Sequence, residues 1–345
     1  MTKPSAIVPL IFLASCISGG GAAGDVAFER VVLAETGVKL GGCAVGDIDP
    51  SHPGQEVAAV GEDGSVHVAW REQGIWRSAV VAQFDGEMIQ CAIGDADLDS
   101  PGLELVVVGM QQGPETDDGP GAAHLVRWAD GGWVHEPLLV DDALLHAACV
   151  LDGEIFVAGF TERVHRLRRR DDGFQDSIAV DLPGAAKCMI PFAGGIAVAC
   201  TDGSVVHVTA DERGYRGAVL DRRIAGRARL GTDGSSLAVA DDDGVLSLVT
   251  PGTETVRLHR ASEKARGAVL ADLDPGSPGV EAATVGYDRR VVLLRRRGSS
   301  WDATQLAREA DRLHHLVHAD VDTAPGDELL TVGFAGDIVM FRRAR

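Results

Sequence analysis

Apolar residues in this chain come in short runs, and polar turn residues break each run before a helix could form. Cys43-Ala44-Val45 ends at Gly46-Asp47, and a second run, Val57 to Val60, follows a Pro- and Gly-containing bend. Glu62-Asp63-Gly64 then marks a tight turn, and recurs as Thr201-Asp202-Gly203 and Asp242-Asp243-Gly244. Glycine there supplies the positive φ that a tight hairpin needs. The next segments alternate with period two, as in Val66/Val68, Leu246/Leu248 and Ile338/Met340. A fourth segment opens on an aromatic residue: Trp76, Trp133, Phe174, Tyr215 or Trp301. Short runs with strand periodicity and regular turn signals predict an all-β chain whose unit is four strands, A to D.

The unit repeats. GDIDPSHPGQEVAAVG from Gly46, GDADLDSPGLELVVVG from Gly94, ADLDPGSPGVEAATVG from Ala271 and ADVDTAPGDELLTVG from Ala319 align with one another. Weaker copies are GEIFVAG from Gly153, GIAVACTDG from Gly195 and SLAVADDDG from Ser236. Seven four-stranded units of roughly 40–50 residues predict a seven-bladed β-propeller. Phe28 to Glu35 reads as a strand D with no A, B or C before it, and the last copy ends after strand C at Phe341-Arg342-Arg343. The N-terminal strand is therefore expected to complete the last blade and close the ring, which removes exposed sheet edges. The Asp-x-Asp…Gly-x-Glu-apolar-Gly copies resemble FG-GAP/VCBS repeats, the repeats of integrin α-chain propellers and many bacterial secreted propellers. The resemblance covers most of residues 28–343, strongly in four units, and implies fold rather than activity.

Carboxylates recur at fixed offsets in the A–B bends: Asp47, Asp49, Glu56; Asp95, Asp97, Asp99, Glu104; Asp272, Asp274, Glu281; and Asp320, Asp322, Glu328. Alternate carboxylates in a short loop suit calcium, which takes six to eight oxygens. FG-GAP repeats often use an Asp-x-Asp-x-Asp-Gly loop in this way. Only the Asp95 loop keeps three aspartates; Ser51, Gly276 and Ala324 replace the third elsewhere. Calcium and self-capped Asp turns are both open at the Asp95 loop, and the turn is favoured at the other three. The runs Arg168-Arg169-Arg170, Arg295-Arg296-Arg297 and Arg342-Arg343 follow strand C, on the same face as these loops. They read first as neutralisation of an acidic rim, and second as a patch for a polyanion. The net charge of −19 argues against nonspecific nucleic-acid binding.

The N-terminus adds an address. Lys3 precedes a short apolar run, Ala6 to Leu13, and Leu13-Ala14-Ser15-Cys16 resembles a bacterial lipobox. The expectation is a signal peptide over residues 1–15, lipidation at Cys16, a Gly-rich tether over 16–27 and a propeller over 28–345. The protein would then be extracytoplasmic, held to the cell or outer membrane by lipid alone. Of the other cysteines, Cys43 and Cys91 share a strand-A position with Ala268 and Leu316, which suggests packing. Cys188 and Cys200 flank one A–B hairpin and form the best disulfide candidate. His314, His315 and His318 fall on a strand A, as a polar lining of the channel mouth. A long B–C insertion, Met110 to Ala123, is the candidate specificity loop.

No HExxH, GxSxG or phosphate-loop motif occurs. The favoured reading is a monomeric, noncatalytic binding or scaffold module for a protein or glycan, with calcium as a candidate stabiliser. The alternatives are a polysaccharide lyase or hydrolase with its site at the channel mouth, and an outer-membrane assembly factor. Buried convergent charges in the axial channel would favour the enzyme; an axial filling of Val, Cys and Ala would count against it.

Overall fold

The structure is a computed structural model and describes residues 27–98, 102–111, 119–276, 279–322 and 326–344. The leader, Cys16, nearly all of the tether, Asp99 and the middle of the B–C insertion lie outside the described residues. Among the described residues, twenty-eight strands form seven four-stranded antiparallel sheets. Six sheets run A-B-C-D in chain order; the seventh is ordered β-strand Phe28–Glu35, Asp337–Arg343, Glu328–Gly333, Leu313–Ala319. The expected seven-bladed propeller and its closure by the N-terminal strand are both present. Blades are numbered 1 to 7 from Leu40, and the closing strand is strand D of blade 7.

Burial is greatest in strand B and least in strand D, and the sequence pattern explains why. Each strand B is packed on both faces by neighbouring blades, so it reads as a continuous apolar run. Glu56–Gly61, Glu154–Gly159 and Glu328–Gly333 are buried at every position. Strands D, such as Ile75–Gln83, carry exposed residues along most of their length. Between blades 7 and 1, Val31, Leu33, Leu40, Val57, Val332 and Met340 form one cluster; Val66, Val68, Leu105 and Val107 belong to the next, between blades 1 and 2. Each such aliphatic side chain contributes about 1.5–3 kcal/mol by leaving water.

The B–C turns brace the connection from strand D to the following strand A. The carbonyl of Gly64 accepts the Phe84 amide at 3.0 Å, and Gly203 accepts Ile224 at 3.1 Å. Gly64 has φ +82°, and a Cβ added there would sit 2.1 Å from the Phe84 carbonyl oxygen. The turn glycine is thus needed for both its dihedral and its close approach.

The closing strand is held by register and charge. Phe28 pairs with Arg343 and Val31 with Met340. Arg30 donates three hydrogen bonds of 2.7–3.1 Å to Glu309, just before strand A of blade 7. Deleting residues 28–35 removes this strand and leaves Asp337–Arg343 as a bare edge. The shortened chain should unfold at markedly lower urea and associate in sedimentation experiments, whereas an unchanged midpoint would contradict the closure.

Candidate functional site

Two places concentrate chemistry: the face bearing the A–B loops, and the axial channel. On the first, the glutamate that opens strand B turns back under its own loop. Glu56 Oε2 accepts the backbone amides of Ile48 and Asp49 at 2.9 and 3.1 Å. Glu104 does the same for Ala96 and Asp97, and Glu281 for Leu273 and Asp274. Glu328 accepts from Val321 at 2.8 Å. All four glutamates are buried. Burial pushes the Glu56 and Glu328 carboxyls up to about 7, with the nearby aspartates adding to the shift. Burial raises Glu104 and Glu281 in the same way.

The aspartates go elsewhere. Asp47, Asp95, Asp272 and Asp320 point to solvent. The second aspartate of each loop is paired with a cation or caps its own turn. Asp49 accepts from Ser51 N and lies 2.9 Å from His52 Nδ1. Asp97 meets Arg169 of the next blade at 3.6 Å. Asp274 lies between Arg295 of its own blade at 3.4 Å and Arg343 of blade 7 at 3.3 Å. Asp322 binds Arg342 at 2.6 Å. The arginine runs therefore do reach the Asp loops, and two of these pairs tie adjacent blades together. Among the described residues, no three His, Cys, Asp or Glu side chains converge as a metal site. The expected sets split into a solvent-facing acid, a paired acid and a buried latch.

Between the A–B loops of blades 1 and 2 lies a cleft of about 930 Å³. One wall is Asp47, Pro50, His52 and Pro53; the other is Leu103, Glu104 and the C–D turn of blade 2, with Arg127, Trp128 and Asp130. Trp128 is fixed edge-on against Trp133 at 5.6 Å, and His52 is held between Asp49 and the Trp70 ring, 4.8 Å away. An aromatic face beside opposed acid and base groups suits a polar ligand with some apolar surface. The sequence reading did not single out Arg127 or Trp128. Their one signal is position: they end strand C of blade 2, where three other blades carry arginine runs.

The axial channel opens on the same face as a funnel of about 280 Å³. Its walls include Val45, Ile93, Val150, Ile190, Val269 and Val317, with Cys43, Cys91, Cys149 and Cys188. The five described cysteines are free and buried. The expected Cys188–Cys200 disulfide is absent. The register set at the hairpin, Phe192 opposite Gly195, already places Cys188 opposite Ala199, and past the bulge at Lys187 Cys200 faces Ala186. Burial pushes Cys91 up to about 12 and Cys200 to about 11, which keeps these thiols unreactive. His314, His315 and His318 do lie on one strand A, but each has its own partner. His314 Nδ1 is 2.7 Å from the Gly41 carbonyl, His315 is 2.9 Å from the Gln90 amide, and His318 is 2.7 Å from Asp327.

No family model matches the chain, and no curated protein matches it. Among solved structures, the WD40 β-propeller domain of Doa1 superposes with a TM-score of 0.68 at 13% identity, over 93% of this chain and 98% of that one. At that identity the likeness is one of fold.

Replacing Glu56 tests the latch. Its carboxyl is raised in the folded protein, so its stabilising contribution is full below about pH 4.5 and is lost as pH rises through about 7. Glu56→Gln keeps an acceptor oxygen without the charge, so its stability relative to the parent should improve between pH 5 and 8. Glu56→Ala leaves two buried amides without a partner and should cost about 1–3 kcal/mol. Urea unfolding at both pH values checks this; equal losses for the two variants at pH 8 would contradict the latch.

Proposed function

We propose that this chain is a noncatalytic binding module, and that the cleft between blades 1 and 2 is where its protein or glycan ligand seats. The cleft carries the reading. It has the volume of a ligand site and presents Trp128, Arg127 and exposed carboxylates from two rigid blades. The funnel supports the same reading: its walls are mainly aliphatic, its histidines His315 and His318 are engaged by Gln90 and Asp327, and burial holds its thiols protonated. We assign the repeats to the FG-GAP/VCBS type on their Asp-x-Asp…Gly-x-Glu copies. We place the module outside the cytoplasm, on a lipid at Cys16, on the Leu13-Ala14-Ser15-Cys16 sequence.

In this reading the carboxylate loops are structural, with guanidinium groups where a cation would compete. The second reading, calcium at Asp95, Asp97, Asp99 and Glu104, keeps one supporting observation: Asp95 is exposed and free to approach an ion. Melting the chain in calcium and in chelator separates the two. We expect the same midpoint in both; a rise in calcium assigns the loop to the metal.

Retention on immobilised envelope polysaccharide and on immobilised envelope protein tests the cleft. Trp128→Ala should weaken retention at least tenfold on one of the two columns while the melting midpoint stays close to the parent's. Equal retention of parent and variant on both would remove the cleft as the site. A Cys16→Ala chain should leave the membrane fraction, and one that stays there would remove the lipid anchor.

A further inference from the structure

The end of the channel away from the A–B loops carries a pattern that emerges only when the blades are compared around the ring. Six of the seven A–B pairings have a β-bulge near the start of strand A. The extra residue is Gly41, Ile89, His146, Lys187, Arg266 or His314. Blade 5 has no such bulge, and its strand A starts at Arg229. A bulge bends its strand and re-aims the extra side chain. Repeated around a ring, it sets one side chain per bulged blade at one level; that side chain is basic in blades 3, 4, 6 and 7, and Arg229 opens strand A of blade 5 between them.

These groups share one space. Arg229 reaches the Lys187 backbone carbonyl of the preceding blade, 3.1 Å away. Burial, with the Lys187 and Arg229 cations, pushes His146 well below its usual range, and burial with Arg229 and Arg266 pushes His314 down to about 3, so both rings are neutral beside the three cations. Lys187, Arg229, Arg266 and His146 are each at least 94% buried. Aromatic rings fix several of them: Lys187 Nζ lies 3.7 Å from the Phe160 centroid, Arg266 lies 5.1 Å from Tyr287, and His314 stacks on Phe334.

Anionic compensation differs between Arg266 and Arg229. Asp242 meets Arg266 at 2.5 Å. Arg229 donates to the carbonyls of Lys187 and Ala228, at 3.1 and 3.3 Å, and has no carboxylate within ion-pair distance among the described residues. His146 Nδ1 is buried and without a hydrogen-bond partner. A buried guanidinium without a counter-charge is costly, and an apolar plug would close the channel at lower cost, as the aliphatic funnel above it shows.

We propose that this ring of residues at the entries of the A strands is a receptor for one oxyanion group, a phosphate or a carboxylate, entering along the axis from the face of the D–A connections. Arg229 supplies a planar donor fork, Lys187 a compact charge, and His146 a free ring nitrogen, three donors that suit an oxyanion approached from several sides. The site is at the opposite end of the channel from the cleft and stands independently of it.

Calorimetric titration of the full chain with inorganic phosphate, and separately with citrate, tests this against sodium chloride at matched ionic strength. One or both anions should bind saturably and raise the melting midpoint. Phosphate alone identifies a phosphoryl ligand, citrate alone a carboxylate, and both an oxyanion receptor without preference. Arg229→Met should bind at least tenfold more weakly, while Arg168→Met, on the far rim, binds as the parent does. Lys187→Met gives the same reading should Arg229→Met fail to fold. No saturable binding of either anion, or undiminished affinity in the folded ring variant, overturns the proposal.

Discussion

The pairing of the first strand with the last sheet is the constraint on which the rest of this molecule depends. Phe28–Glu35 supplies the outer strand of blade 7, so chain ends about 300 residues apart share one sheet. Without that pairing blade 7 has three strands and an open edge. With it, every blade has a neighbour on both faces, and every strand B is dry. The Arg30–Glu309 hydrogen bonds add direction to the closure, because they set the first strand against the entry to the last blade.

Closure also explains what the acidic rim does. In blades 1, 2, 6 and 7 the A–B bend stands at a junction between blades, where its backbone amides would be buried without partners. The glutamate opening strand B satisfies them from below, and arginines arriving from strand C neutralise the aspartates beside them. Arg169 and Arg343 reach across to the preceding blade, so the pairing of charges is part of how blades hold their spacing. The same carboxylates that suggest a metal loop are thereby engaged by the protein's own cations and amides. Blade 1 differs, with His52 beside Asp49 in place of an arginine, and the cleft opens at that junction.

Much of the fold was legible because each blade repeats a local code. Val57 to Val60 reads as a doubly buried strand, Glu62-Asp63-Gly64 as its turn, and Val66/Val68 as an alternating strand, all from nearest-neighbour stereochemistry. The shared position of Cys43 and Cys91 was legible for the same reason. The partners of Cys188 and Cys200 were not, because the register is set where the hairpin turns between Phe192 and Gly195 and leaves no mark in composition. Trp128 and Arg127 were missed because a cleft between two blades belongs to neither repeat. The basic residues His146, Lys187, Arg229, Arg266 and His314 are scattered over about 170 residues of sequence and meet only where five strands start around one axis.

By itself the sequence determined the number of blades, the order of strands within them, the turn glycines and the origin of the closing strand. Those features follow from periodicity and turn chemistry, which act over a few residues at a time. Tertiary structure alone decided the partner of each charge: an amide or an arginine for the loop carboxylates, and a shared, crowded axis for the bulge residues. Electrostatic partnership depends on distance in space and on exclusion of water, and neither exists until the seven sheets have packed around the channel.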